Sequence, residues 1–331
     1  MNKLILIFVI FQSTFFSLQA QTVPGEKENL KQVNQQVAAS YKAGKLDDAL
    51  KFAQQAVDLS VKVFGAEHTE TATAYINLGT IYQAKKKYKD AGASLQKALS
   101  ILRSAPGANE KTTARTLNDL ALALALDGDR KQAEQTYLLA LASAEKAFGK
   151  ESREILPFLK TFAEFYVYVD KTDEARQLFV RRYLLAAKHF APDAREFQEI
   201  EDDFYCLIAL KSTNQKEDIE KNVEFVEAVR GVKPVGKYKI LESGFLNGKA
   251  TYLPKPNYPA SAKARRATGS VTVRILVDEK GNVTEAKALC GDDDLKSASE
   301  QSAKGAKFAP ATIDGQPVKV SGFIVYNFLA G

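Results

Sequence analysis

The chain has 331 residues, 45% of them apolar and 26% charged, which is the make-up of globular protein and excludes a disordered or collagen-like chain. Its length has room for two ordinary domains. The net charge of +6 is placed unevenly, since residues 233–331 hold 15 basic and 9 acidic side chains and so carry the whole excess. Lys249, Lys255, Lys263, Arg265 and Arg266 follow one another without an intervening acid. Such a surface either attracts an acidic peptide or anionic polymer or is simply solvated. No nucleic-acid-binding motif accompanies the charge, so no nucleic-acid partner is expected.

Residues 1–20 read as a signal peptide: Lys3 supplies a positive start, Leu4–Phe11 is apolar throughout, and Ala20 offers a small residue for cleavage. A spanning helix needs about 20 predominantly apolar residues. Gln12, Ser13 and Thr14 interrupt this run early, so export with cleavage is expected and no stable membrane span afterwards. A retained anchor is the alternative.

Residues 26–192 repeat with a period of 42. Ala49, Ala91, Ala133 and Ala175 keep this step, as do Gly65, Gly107 and Gly149, then Ala56, Ala98 and Ala140, and finally Tyr75, Leu117 and Leu159. Each of the four units reads as two helices. Tyr75, Leu78, Gly79 and Tyr82 mark a first helix, and Ala91, Leu95 and Ala98 a second. Small residues let the two backbones approach, and the glycines that follow second helices suit a left-handed cap. The pattern matches the tetratricopeptide signature with Tyr for the usual Trp, in units about eight residues longer than the usual 34. It resembles the longer repeats of kinesin light chains. The fold expected here is an all-α solenoid of paired helices. The face lined by first helices in such arrays binds protein or peptide. Polar positions one period apart on that face are Asn77, Asp119 and Thr161, with Arg115 and Asn118 beside them. Residues 193–230 keep apolar spacing but lose the register, as a degenerate repeat or capping pair would.

Residues 231–249 are rich in Gly and Pro and read as a linker, followed by a smaller α+β domain over residues 250–331. Val271, Val273, Ile275 and Val277 alternate with other residues as in a strand. Asp278–Asn282 is a turn, and a second strand runs from Val283 to about Leu289. Asp292, Asp293 and Asp294 open a helix that ends near Lys307, where they serve as N-cap and dipole charge rather than a calcium site. A last strand covers Val318–Leu329.

Three pieces, in order, resemble the TonB C-terminal domain: Pro256-Asn257-Tyr258-Pro259-Ala260, the hairpin from Gly269 to Val283, and Ala306-Lys307-Phe308-Ala309-Pro310 with Asp314-Gly315-Gln316-Pro317-Val318. The resemblance implies an antiparallel sheet, a Gram-negative type of envelope and capture of an extended peptide, for example from an outer-membrane transporter. It implies a last strand at a sheet edge, open to strand addition along Ser321, Phe323, Ile324, Val325, Tyr326 and Asn327. Phe323 and Val325 would be its apolar contacts, unless residues 231–250 fold back over that face. The long Pro-rich spacer of an energy transducer is missing.

Cys206 and Cys290 are too few for a disulfide framework. An oxidising compartment would permit pairing, but two buried or free thiols are the simpler expectation. His68 and His189 stand in no metal-ligand spacing, and no phosphate loop or nucleophile elbow occurs. Metal, cofactor and catalytic site are all expected to be absent. The expected function is therefore a periplasmic interaction adaptor. A membrane-anchored TonB-type energy transducer and an envelope enzyme with an unrecognised site are the alternatives.

Overall fold

The computed structural model describes residues 24–191, 194–210, 240–313 and 315–329. The expected signal peptide, residues 211–230 of the capping pair and residues 231–239 of the linker lie outside the described residues. The chain divides into two compact units, Met1–Asp129 and Arg130–Gly331.

The first unit is built from helices α1 (Pro24–Lys42), α2 (Leu46–Phe64), α3 (Thr69–Ala84), α4 (Tyr88–Ser104) and α5 (Glu110–Asp127). Successive helices meet through small residues. Ala91, Leu95 and Ala98 of α4 are fully buried, as is Ala49 of α2. Opposite them, a Cβ on Gly79 of α3 would come within 2.8 Å of the Leu95 side chain and 3.4 Å of the Ala91 carbonyl oxygen. Only glycine leaves α3 and α4 that close. Asn109 caps α5, its side-chain oxygen accepting from the Lys111 N–H at 2.8 Å. His68 caps α3 in the same way through Nδ1, accepting from the Glu70 N–H at 3.1 Å, and its ring lies against Phe64.

The second unit continues with α6 (Arg130–Phe148), a 3-10 turn (Arg153–Ile155), α7 (Leu156–Tyr168), α8 (Thr172–His189) and α9 (Arg195–Leu210). Aromatic rings fill its helical core: Tyr137 of α6 stacks on Phe162 of α7, and Tyr183 of α8 packs against Phe197 and Phe204 of α9. The period-42 glycines Gly65, Gly107 and Gly149 have φ of 95°, 77° and 95°, which explains their spacing as a backbone requirement repeated in each unit.

The rest of the second unit is β1 (Ile240–Phe245), β2 (Ala250–Tyr252), α10 (Ala260–Ala264), β3 (Gly269–Val277), β4 (Val283–Cys290), α11 (Asp293–Lys304), β5 (Lys307–Phe308), β6 (Ala311–Ile313) and β7 (Gln316–Phe328). The sheet runs β1-β7-β3-β4, with β6 also on β7. Val271, Val273, Ile275 and Val277 of β3 point to one face, as the alternation predicts, and meet Leu295 and Ala303 of α11 and Val320, Ile324, Tyr326 and Phe328 of β7. Asp292 caps α11, accepting from the Asp294 N–H at 3.0 Å. Arg265 bonds Asp292 at 2.9 Å and Asp294 at 2.7 Å, which holds the Asp292 carboxyl below its usual range.

Two expectations need correction. Residues 240–249 were to be linker, yet Ile240–Phe245 is a strand of the sheet, pairing parallel with Lys319–Phe323. For the same reason β7 is no open edge over residues 316–323: β6 pairs with Gln316–Val318 and β1 with Lys319–Phe323, while β3 runs along the other side.

The close approach at Gly79, Ala91 and Leu95 generates a test. Ala91→Phe should overpack the α3–α4 contact and lower stability by about 1–3 kcal/mol. Ala84→Phe, at a half-buried position off the packing pattern, should change the melting temperature little. Thermal unfolding of the two variants checks this, and equal melting temperatures would contradict the assigned packing.

Candidate interaction surfaces

In the first unit, Asn77 lies exposed on α3, and Arg115, Asn118 and Asp119 lie on α5. Gln83 of α3 donates to the Asp119 carbonyl oxygen at 2.8 Å, which sets the two first helices side by side. The buried positions of α5 are Ala114, Thr116, Leu117, Leu120, Ala121, Ala123 and Ala125. Between them runs a stripe with steps of four, three and four: Arg115, Asp119, Leu122 and Leu126. Leu122 is 36% and Leu126 45% exposed. The Asp119 carboxyl is half-buried, and burial pushes its pKa up to about 6. Thr161 is on α7 in the second unit, where its hydroxyl donates to the Pro157 carbonyl oxygen at 3.2 Å, so it is engaged within its own helix.

The second unit contains a seam that the sequence did not disclose. Helix α9 packs on the sheet face opposite α11. Tyr205 of α9 stacks on Phe323 of β7 with ring centroids 3.7 Å apart. Arg274 of β3 lies over the Phe323 ring at 5.1 Å and pairs with Glu201 at 3.0 Å and Asp202 at 2.5 Å. Cys206 of α9 and Cys290 of β4 form a disulfide with Cα atoms 5.9 Å apart, which corrects the expectation of two thiols. The opposite side of α9 is fastened as well: Asp203 accepts from Arg182 of α8 at 2.7 Å and from Lys160 of α7 at 2.8 Å.

This seam decides where the expected strand-addition residues stand. Ile324 and Tyr326 face the α11 side and are buried. Phe323, expected to be an exposed apolar contact, is 2% exposed because α9 covers it. Ser321, Val325 and Asn327 are half-buried, and Asn327 accepts from the Ser270 hydroxyl at 2.5 Å. Along β7, Ile324 and Tyr326 lie on one face while Phe323 and Val325 lie on the other. Among the described residues, α9 covers the second face at Phe323. The one legible trace was Cys206, 84 residues before Cys290, among the aromatic residues of α9.

Two predictions follow from these surfaces. Cys206→Ser removes the clasp across the seam and should lower the stability of the second unit by about 2–5 kcal/mol. Denaturant unfolding with and without reductant reads this, and reduction should bring the wild type to the variant's level. The Asp119 carboxyl has a raised folded pKa, so burial favours its neutral form. Its contribution to stability is full below the ordinary value of 3.8 and is lost as pH rises from there through about 6. Asp119→Asn should therefore leave the melting temperature at about pH 3.5 nearly unchanged and raise stability at about pH 7.5, by about 1–2 kcal/mol after allowing for partial exposure.

Comparison with known proteins agrees with these two architectures. Residues 32–104 and 113–154 match family models of the tetratricopeptide repeat. Residues 254–328 match the model of the Gram-negative bacterial TonB protein C-terminal. Among solved structures, a kinesin-light-chain protein of Podosopora anserina with nearly identical tetratricopeptide-like repeats aligns with a TM-score of 0.50 at 16% identity, over 61% of this chain and 95% of that one. BtubC from P. vanneervenii aligns with a TM-score of 0.50 at 16% identity, over 71% of this chain and 86% of that one. At such identities the likeness is one of fold. Among curated proteins, the clustered mitochondria protein homolog of Emericella nidulans is 35% identical over 91 residues, 28% of this chain and 7% of that protein. The homolog of Meyerozyma guilliermondii is 27% identical over 148 residues, 45% of this chain and 12% of its own length. The chain thus spans only a small part of those relatives. It is a tetratricopeptide-repeat solenoid, similar in fold to kinesin light chains, joined to a small C-terminal domain that matches the TonB C-terminal family.

Proposed function

We propose that this chain is a non-enzymatic adaptor exported to the periplasm of a Gram-negative-type bacterium, its repeats holding one protein and its TonB-like domain a second. The joining of repeats to a TonB C-terminal match carries this reading, because both modules imply protein partners. The Cys206–Cys290 disulfide supports export, since disulfides persist in oxidising compartments such as the bacterial periplasm. Among the described residues, no helix is long and apolar enough to cross a membrane.

Capture of an extended peptide by the TonB-like domain has to reckon with β1. The main chain of Lys319–Phe323 already bonds Ile240–Phe245. An incoming strand at this place, such as one from an outer-membrane transporter, would take over the position of β1. The β1–β7 register breaks between Glu242 and Phe245, which makes this a short and replaceable pairing.

The reading is tested in cells. Photo-crosslinkers at Leu122 and at Lys319, exposed on the β7 segment that an incoming strand would pair with, should each give a defined protein adduct, and the two partners should differ. Mass spectrometry of the envelope protein should find an N-terminus near Gln21. An intact Met1 segment in the inner membrane would overturn the adaptor in favour of the anchored energy transducer.

A further inference from the structure

The half-buried and buried carboxylates of the repeats and of α9 meet cations. Glu134 accepts from Lys171 at 2.7 Å, Glu145 from Arg181 at 2.5 Å, Asp203 from Arg182 at 2.7 Å and Glu201 from Arg274 at 3.0 Å. Asp119 is different. Among the described residues its half-buried carboxyl forms no ion pair. The α3 side chains at the corresponding stripe positions are Thr73, Asn77, Thr80 and Ala84, none of them charged. A desolvated carboxylate without a cation lowers stability. Next to it, Leu122 and Leu126 expose apolar surface along the same stripe. Arg115, one turn before Asp119 on the stripe, is already engaged in contacts of its own, so the carboxylate and the two leucines, in line over two turns of α5, form a surface complementary to a segment of opposite charge and like polarity.

We propose that α5 is the repeat array's docking site for a partner segment carrying Lys or Arg beside apolar residues, its cation on Asp119 and its apolar side chains on Leu122 and Leu126. This rests on the reading that the repeats hold a protein, and it names the chemistry of that partner. Charge complementarity fixes the occupant's sign. Binding brings the missing cation to a carboxylate already stripped of much of its water, where a charge-assisted bond is stronger than at an open surface.

The test uses the purified full chain and two labelled pools of dodecapeptides. Both carry Leu at positions three and four residues from the centre; one has Lys at the centre and the other Glu. Fluorescence anisotropy should show the Lys pool binding at least tenfold more tightly. Asp119→Asn should remove that preference, and Leu122→Ser should weaken the Lys pool about tenfold, with circular dichroism showing both variants folded. Equal binding of both pools, or Lys-pool binding untouched by Asp119→Asn, would overturn the proposal. Binding of the Glu pool that Leu122→Ser abolishes would refute the cation while leaving the repeats a binding surface. Failure of both pools would refute the site. A dimer in sedimentation that Leu122→Ser dissolves would give the stripe to a second copy of the chain and equally refute the foreign partner. The in-cell adduct at Leu122 is read independently, so loss of the peptide result leaves the adaptor reading separately testable.

Discussion

The second unit turns on a single guanidinium. Arg274 sits in mid-strand on the central β3, where its neighbours on the other face are the core valines. A cation there is tolerable only because α9 brings Glu201 and Asp202 to it and because Phe323 offers its ring. Asp202 still has its pKa raised, since burial outweighs the attraction of Arg274. The ion cluster by itself is therefore a weak source of stability. Its value is registry: the charges specify one seating of α9, and the Tyr205–Phe323 stack and the disulfide hold it. Once α9 is seated, Phe323 is covered and one face of the domain is closed. Asp203, on the turn of α9 facing α7 and α8, carries the same helix into the repeat core. One element thereby serves as end cap for the helices and as second layer for the sheet.

The repeats obey a different constraint, the approach of helix backbones through small side chains. Gly79 against Leu95 and Ala91 shows how little room remains. In the second unit aromatic rings fill the helical contacts instead, as with Tyr137, Phe162 and Phe165. The tyrosine hydroxyls that this buries need partners. Tyr166 finds one in Glu134, at 3.2 Å, and its pKa is pushed up to about 12, chiefly by burial.

Much of this was legible in the sequence because local chemistry and long-range packing point the same way. The period of 42 residues is written in alanines and glycines whose places are fixed by backbone contact and by positive φ, so both elements and register could be read. The β3–β4 hairpin and α11 with its Asp292 cap were likewise visible in alternation and turn chemistry. Two features were not. The pairing of β1 with β7 is a parallel contact between segments about 80 residues apart, and nothing local in Ile240–Phe245 records it. The α9 seam joins Glu201 to Arg274, both ordinary surface residue types until the partner is known, and Cys206 to Cys290, whose pairing two cysteines alone do not specify. Asp119 was chosen by its place in the period. Its unusual state comes from burial, which a sequence does not measure.

The disulfide has a topological side. It closes Cys206–Cys290 into a covalent ring, with β1, β2, α10, β3 and β4 all inside it. A proteolytic nick anywhere in that ring opens a loop but releases no fragment: everything before Cys206 and everything after Cys290 remains one molecule. Because α11 and β7 hold the ring's strands from outside it, a nicked chain keeps its sheet assembled around the clasp. In a compartment that exposes proteins to proteases and keeps thiols oxidised, the linkage between the two modules then outlasts a cut in the polypeptide that connects them.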